Sequence, residues 1–223
     1  MIGLLYIWTH PPYMRNLLPF FSLLLTLTVH GQDTTSIKKD SLSWDQYHAI
    51  QAKLDSVFTV DQGIRKDYEI VLKKYGPNAR QMDSLTKLML KMDAGNGAIV
   101  KEVLDHYGWL GIDEIGEKAN LTLFLVIQHS NMATQTKYLP MMREAVKQGK
   151  AKPDQLALLE DRVLTNQGKP QLYGSQVRTG KNGKYEFFPI ADEKNVNQRR
   201  AEMGLEPLEQ YARYYNIDYH VPK

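Results

Sequence analysis

The sequence predicts a mainly α, single helical domain with a small C-terminal β-hairpin. Three observations carry this reading. From Trp44 to Leu164, apolar residues recur every three or four positions, the period of helices that bury one face. Beyond Gln171 that period gives way to two extended runs around an Asn182-Gly183 turn, a strong hairpin signal. The chain has 223 residues, 43% hydrophobic and 24% charged, enough for one domain with a real core.

The central element is predicted at 121–129, LTLFLVIQH. Residues 121–127 are apolar except Thr122, and a run apolar on all sides belongs inside a core. Taken locally, 121–127 also suits a strand. A helix over about 114–129 is preferred, because Ile115, Ala119, Thr122, Leu123 and Val126 keep helical spacing and the segment is long for a strand. Asp113 is the expected cap. Gln128 and His129 follow the apolar run directly. Polar groups at a core edge must be paired or in use, since burying each unpaired costs about 1–3 kcal/mol.

Residues 1–31 read as a secretory signal peptide, with translation starting at Met14. Arg15 is followed by a mostly apolar stretch over 17–29, and Gly31 precedes the expected cut. That stretch of thirteen residues is shorter than the roughly 20 needed to span a bilayer, so no stable membrane anchor is expected after cleavage. Removing 1–31 takes away one Arg and no acid, leaving 27 basic against 25 acidic residues. This balance, with no Lys/Arg-rich run, gives no warrant for nucleic acid. There is no cysteine, which excludes disulfides and thiolate chemistry and suits a chain outside the cytoplasm. Export to the periplasm or the extracellular space is expected.

Residues 32–43 form a polar, flexible leader. The domain is expected over 44–216, with 217–223 as a tail. Ser43 caps a first helix with Tyr47, Ile50, Leu54, Val57 and Phe58 on one face. A second stripe, Ile64, Tyr68, Val71, Leu72 and Tyr75, is stopped by Gly76-Pro77. Asn78 caps a third helix carrying Met82, Leu85, Leu88, Met89 and Met92. The stretch DAGNG at 93–97 reads as a break before a helix with Ile99, Val100, Val103, Leu104 and Tyr107. Gly108-Trp109-Leu110-Gly111 is a tight corner. After the central element, a helix over about 132–148 contains Pro140, which suggests a kink or late start. Pro153 begins the next helix and Gln167-Gly168 closes it. The hairpin arms are expected at 171–178 and 184–190, followed by two short helices at about 196–203 and 207–215.

Candidate chemistry lies in four places. His129 suits general acid/base work, because a histidine titrates near pH 6.5, and Gln128 could orient a ligand. The alternative is a histidine at a helix C-terminus, favoured by the dipole. Asp161 and Arg162 sit inside a predicted helix, pointing about 100° apart, either at a core rim or in a surface charge run. Gln171, Tyr173 and Gln176 open the hairpin and offer amides and a phenol beside Gly174, or simply pack it. Asp61 and Arg65 are four residues apart, an i,i+4 ion pair unless Arg65 turns inward to grip an anion. The four histidines beyond residue 31 show no metal-ligand spacing, so neither a metal nor another cofactor is expected.

Seven segments also resemble, in order, an uncharacterised bacterial family known as a domain of unknown function. They are DQGIR at 61–65, GWLG at 108–111, GEKAN at 116–120, QHS at 128–130, DRV at 161–163, QLYGSQ at 171–176 and NVNQRRAEMGLEPLEQY at 195–211. The family usually has Gly-Trp-Pro where this chain has Gly108-Trp109-Leu110, and Thr where it has Ser175. The resemblance implies that Gln128, His129, Asp161, Arg162, Gln171, Tyr173 and Gln176 belong to a shared polar signature.

Two functions are expected. In the first, an exported hydrolase or small-ligand-binding domain has a polar pocket in which His129 is acid/base and Asp161 orients it. Arg162 or Arg65 holds an anion, and Gln171, Tyr173 and Gln176 read a small polar ligand. In the second, the same residues form a buried hydrogen-bond network in a structural module that meets a protein partner.

Overall fold

The computed structural model describes residues 42–76 and 79–222. The expected signal peptide, most of the expected leader and the expected Asn78 cap lie outside the described residues. Five long helices are followed by a small C-terminal unit. They are α1 (Trp44–Tyr75), α2 (Arg80–Tyr107), α3 (Ile112–His129), α4 (Met132–Lys147) and α5 (Pro153–Asn166). The C-terminal unit contains β1 (Val177–Thr179), β2 (Tyr185–Phe187), a 3-10 turn, α6 (Val196–Glu202) and α7 (Leu208–Arg213).

The core is built on α3. It packs against α1, α2, α4 and α5, and every residue from Thr122 to Gln128 is buried. The 121–127 run is therefore helical and surrounded, as its length and spacing predict. The start of α3 differs from expectation. Gly111, not Asp113, is the N-cap, and Glu114 accepts the Gly111 N–H at 2.6 Å. Gly116 then breaks the helix with φ 78°, a conformation that favours glycine. Buried Asn120 pins this corner by donating to the carbonyls of Leu110 (2.7 Å) and Lys150 (2.8 Å).

Two expected boundaries are absent. The first two stripes form one 32-residue helix, α1, so Asp61, Gln62 and Arg65 sit within it rather than after it. DAGNG at 93–97 is not a break but lies within α2. Here packing overrides propensity: Asn96 and Gly97 are buried, and a side chain at Gly97 would reach Ser130. Pro140 lies within the unbroken α4 and is exposed, so water can serve the carbonyl it leaves without a donor.

Beyond Arg65 and Asp93, the tip-ward halves of α1 and α2 run on as a two-helix arm. No residue of α1 after Ile64 is buried, and in the arm half of α2 only Met82 and Met89 are. Ile70, Tyr75, Leu88 and Leu90 are exposed along it.

Helix α5 is buried continuously from Gln155 to Val163, so Asp161-Arg162 is not a surface charge run. The hairpin is shorter than expected. The ladder comprises Val177↔Phe187, Arg178↔Glu186 and Thr179↔Tyr185, with an isolated bridge between Gln171 and Ile190, while 172–175 runs against α5. Gly174 makes that approach feasible. It has φ 72°, and a Cβ there would lie 2.8 Å from both methyls of Leu208 and 3.2 Å from Ile190. Leu208 is fully buried and has no room to retreat. Gly174→Ala should therefore cost about 1–3 kcal/mol, from strain and overpacking together, measured by urea denaturation.

Candidate functional site

His129, the last residue of α3, meets α1 and α2 at one end of the core. Its Nδ1 lies 3.3 Å from Asp61 Oδ1, and Arg65 Nε donates to its Nε2 at 3.3 Å. Because Nε2 accepts, the ring proton is assigned to Nδ1, which donates to Asp61. Arg65 Nη1 also reaches Asp61 Oδ1 (3.1 Å) and its main-chain carbonyl (3.0 Å), and Nη2 reaches Asp93 Oδ1 (2.9 Å). Gln62 donates to the remaining Asp61 oxygen at 2.7 Å. The i,i+4 pair and the inward-pointing arginine, read as alternatives, are both present.

Burial would raise the Asp61 pKa, but the His129 hydrogen bond and the Arg65 charge outweigh it and hold it below the usual carboxylate value. Burial pushes His129 below its ordinary value, and the Arg65 and Arg162 charges act the same way against the pull of Asp61. The cluster therefore holds a neutral imidazole beside an ionised carboxylate.

Asp161 lies elsewhere. Its carboxylate is fully buried and accepts main-chain N–H groups of Leu172 (2.7 Å), Tyr173 (3.1 and 3.2 Å) and Ser175 (2.9 Å). Burial pushes its pKa up, opposed by these amides. The carboxylate that orients His129 is Asp61, which corrects the role expected of Asp161. Gln171 is saturated in the same way. Its amide donates to the carbonyls of Gln176 and Phe188 at 3.0 Å each and accepts from Gln176 N–H at 2.8 Å. Tyr173 donates to Glu160 at 3.0 Å, and the Gln176 side chain donates to Ser175 at 2.9 Å. The carbonyls of Leu172, Tyr173 and Ser175 are taken by Arg199, Arg200 and Tyr211. These residues act together as a lock on segment 171–176.

Arg162, also on α5, is different from its neighbour. It is 5% exposed, and its Nε has no partner among the described residues. Burial lowers its pKa to about 10. The other groups in its electrostatic surroundings are Tyr211, Tyr215, Arg65 and His129. Gln128 Oε1 is likewise buried without a donor. The expected site residues thus form two groups. Asp61, Arg65 and His129 bond to one another, with Arg162 in electrostatic reach, while Asp161, Gln171, Tyr173 and Gln176 belong to the lock. Asp93, Tyr211 and Tyr215 were not anticipated. Tyr211 lies inside the 195–211 motif, which was the available signal; Asp93 fell in an expected break.

A separate cavity of about 210 Å³ is lined by Leu42, Trp44, Tyr47, Asp113 and Glu114. It lies at the N-terminal ends of α1 and α3, about 20 Å from His129 at 1.5 Å rise per residue. Among the described residues, no helix is long and apolar enough to cross a membrane.

Fold and cluster together define a helical domain with a buried acid–histidine–arginine centre. The chain belongs to the Family of unknown function (DUF6624), whose model matches residues 48–222. No curated protein and no solved structure matches it.

Two outcomes follow from the geometry. Asp161→Asn puts an amide donor against main-chain donors and should cost roughly 3 kcal/mol or more, measured by chemical denaturation. His129 has a folded pKa below its ordinary 6.5, so the unfolded chain takes the proton first. Its contribution is intact above that value and is lost as pH falls below it; Asp61 acts only below its own ordinary 3.8. Unfolding free energy should drop as the pH falls below about 6.5, and His129→Gln should flatten that slope.

Proposed function

We propose that this domain works outside the cytoplasm and binds a small polar ligand where α1, α3 and α5 meet, hydrolysing it with His129 as the base. Export is supported by the basic-then-apolar leader and the absence of cysteine. The observation that carries the site is the neutral His129 held by buried Asp61 with Arg162 in electrostatic reach, while Gln128 Oε1 and Arg162 Nε are buried with no hydrogen-bond partner among the described residues.

The chemistry would run through His129 Nε2. Its 3.3 Å bond from Arg65 is long, and Arg65 keeps Asp61 and Asp93 when it gives that bond up. A water on Nε2 would pass its proton to the ring as its oxygen attacks an ester or amide carbonyl. The imidazolium would be held by Asp61 and return the proton to the leaving group. A specific observation favours a second reading: Asp61, Arg65, Asp93 and His129 already bond one another, as a non-catalytic module with a protein partner would require.

A thermal-shift screen of metabolite classes on the purified protein, followed by turnover of any ester or amide hit, separates the two. The expected result is a specific hit whose turnover falls about 100-fold or more in His129→Gln while melting stays near wild type. No hit, with His129→Gln chiefly lowering the melting temperature, would favour the second reading.

A further inference from the structure

We propose that the ligand carries a carboxylate, and that Arg162 receives it with the Tyr215 hydroxyl beside it. This rests on the ligand-binding reading above and adds the chemical class and the receiving residues.

The argument begins with how the chain treats its other inward-facing arginines. Arg65 is paired with Asp61 and Asp93. Arg199 donates to the carbonyls of Leu172 and Ala191, and Arg200 to those of Glu206 and Tyr173. Arg162, 5% exposed against 1% for Arg200, is buried like them, yet its Nε has no hydrogen-bond partner and its guanidinium has no ion pair among the described residues. Enclosing a charge without a partner is among the costliest arrangements a fold can contain. An arriving anion would offset that cost.

The surroundings narrow the class. Within electrostatic reach of Arg162 are Arg65, His129 and the phenols of Tyr211 and Tyr215. Arg65 already has two carboxylates and His129 is neutral, so Arg162 balances the cluster as a whole but has no carboxylate of its own in contact among the described residues. A singly charged, planar group suits a guanidinium fork better than a phosphate dianion placed near Asp61 and Asp93. The phenols divide the remaining work. Tyr211 commits its proton to the Ser175 carbonyl at 2.9 Å, so in its 3.2 Å contact with Tyr215 the latter is the donor. Tyr215 can therefore turn its O–H towards a ligand without abandoning a main-chain group.

The test compares acetate and N-acetylglycine with inorganic phosphate and with neutral acetamide, by thermal shift at constant ionic strength. In the wild type, both carboxylates should raise the melting temperature saturably, and acetamide should not. Arg162→Met should abolish that shift while the ligand-free protein melts no lower than wild type, because an unpaired buried charge has been replaced by an apolar chain. Arg162→Lys, which keeps the charge and loses the fork, should weaken the shift several-fold, and so should Tyr215→Phe. His129→Gln should leave it intact. Silence towards both carboxylates, or a shift that survives Arg162→Met, overturns the inference. A response to phosphate alone overturns the class and leaves ligand binding standing. A carboxylate response lost in Arg162→Met, beside hydrolysis indifferent to His129→Gln, upholds the inference and overturns the catalytic reading.

Discussion

The Asp161 carboxylate solves a problem that the rest of the C-terminal unit creates. Segment 172–175 crosses the buried flank of α5, where its amide hydrogens have neither a β-ladder nor water to bond. One side chain, set within a helix closed to solvent from Gln155 to Val163, takes three of those amides. Arg199, Arg200 and Tyr211 take carbonyls from the same segment. The two faces of one peptide strip are thus read by opposite charges, and the short helices α6 and α7 are positioned by that reading. Three paired residues per strand would hold a hairpin poorly on their own.

Against that saturated lock stands the Arg162 side chain, one residue along the same helix. Successive helical residues diverge by about 100°, so two adjacent charges on α5 serve different neighbourhoods. Asp161 faces the C-terminal strip and is fully bonded. Arg162 is in electrostatic reach of His129 and Arg65 at the end of α3, and its Nε has no hydrogen-bond partner among the described residues. The contrast separates what holds the fold from what is free to meet a ligand.

Much of this was legible in the residues. The LTLFLVI run announced a surrounded helix, and the polar dipeptide after it marked the rim. The Asn-Gly turn located the hairpin. What escaped depended on tertiary packing. Gly95 and Gly97 look like helix breakers, yet α2 passes through them, with Asn96 and Gly97 buried against the body. Asp61 and Asp161 are equivalent as letters, and only the course of α1 decides which of them reaches His129. The hairpin arms looked longer because 171–176 has extended character, but the main-chain hydrogen bonds of Leu172, Tyr173 and Ser175 go to side chains. Arg199, Arg200 and Tyr211 sat in a segment whose resemblance was visible and whose role was not.

The arm formed by the outer halves of α1 and α2 has a consequence for motion. It buries little, so its backbone should open and close locally at a small fraction of the cost of global unfolding. Arg65 and Asp93 bridge the two helices where the arm leaves the body, and Arg65 is also a neighbour of His129. Amide exchange in α1 should therefore change pace at Arg65, within an unbroken helix. A partner that stiffened the distant tip would steady the guanidinium at the histidine with no change in the residues around it.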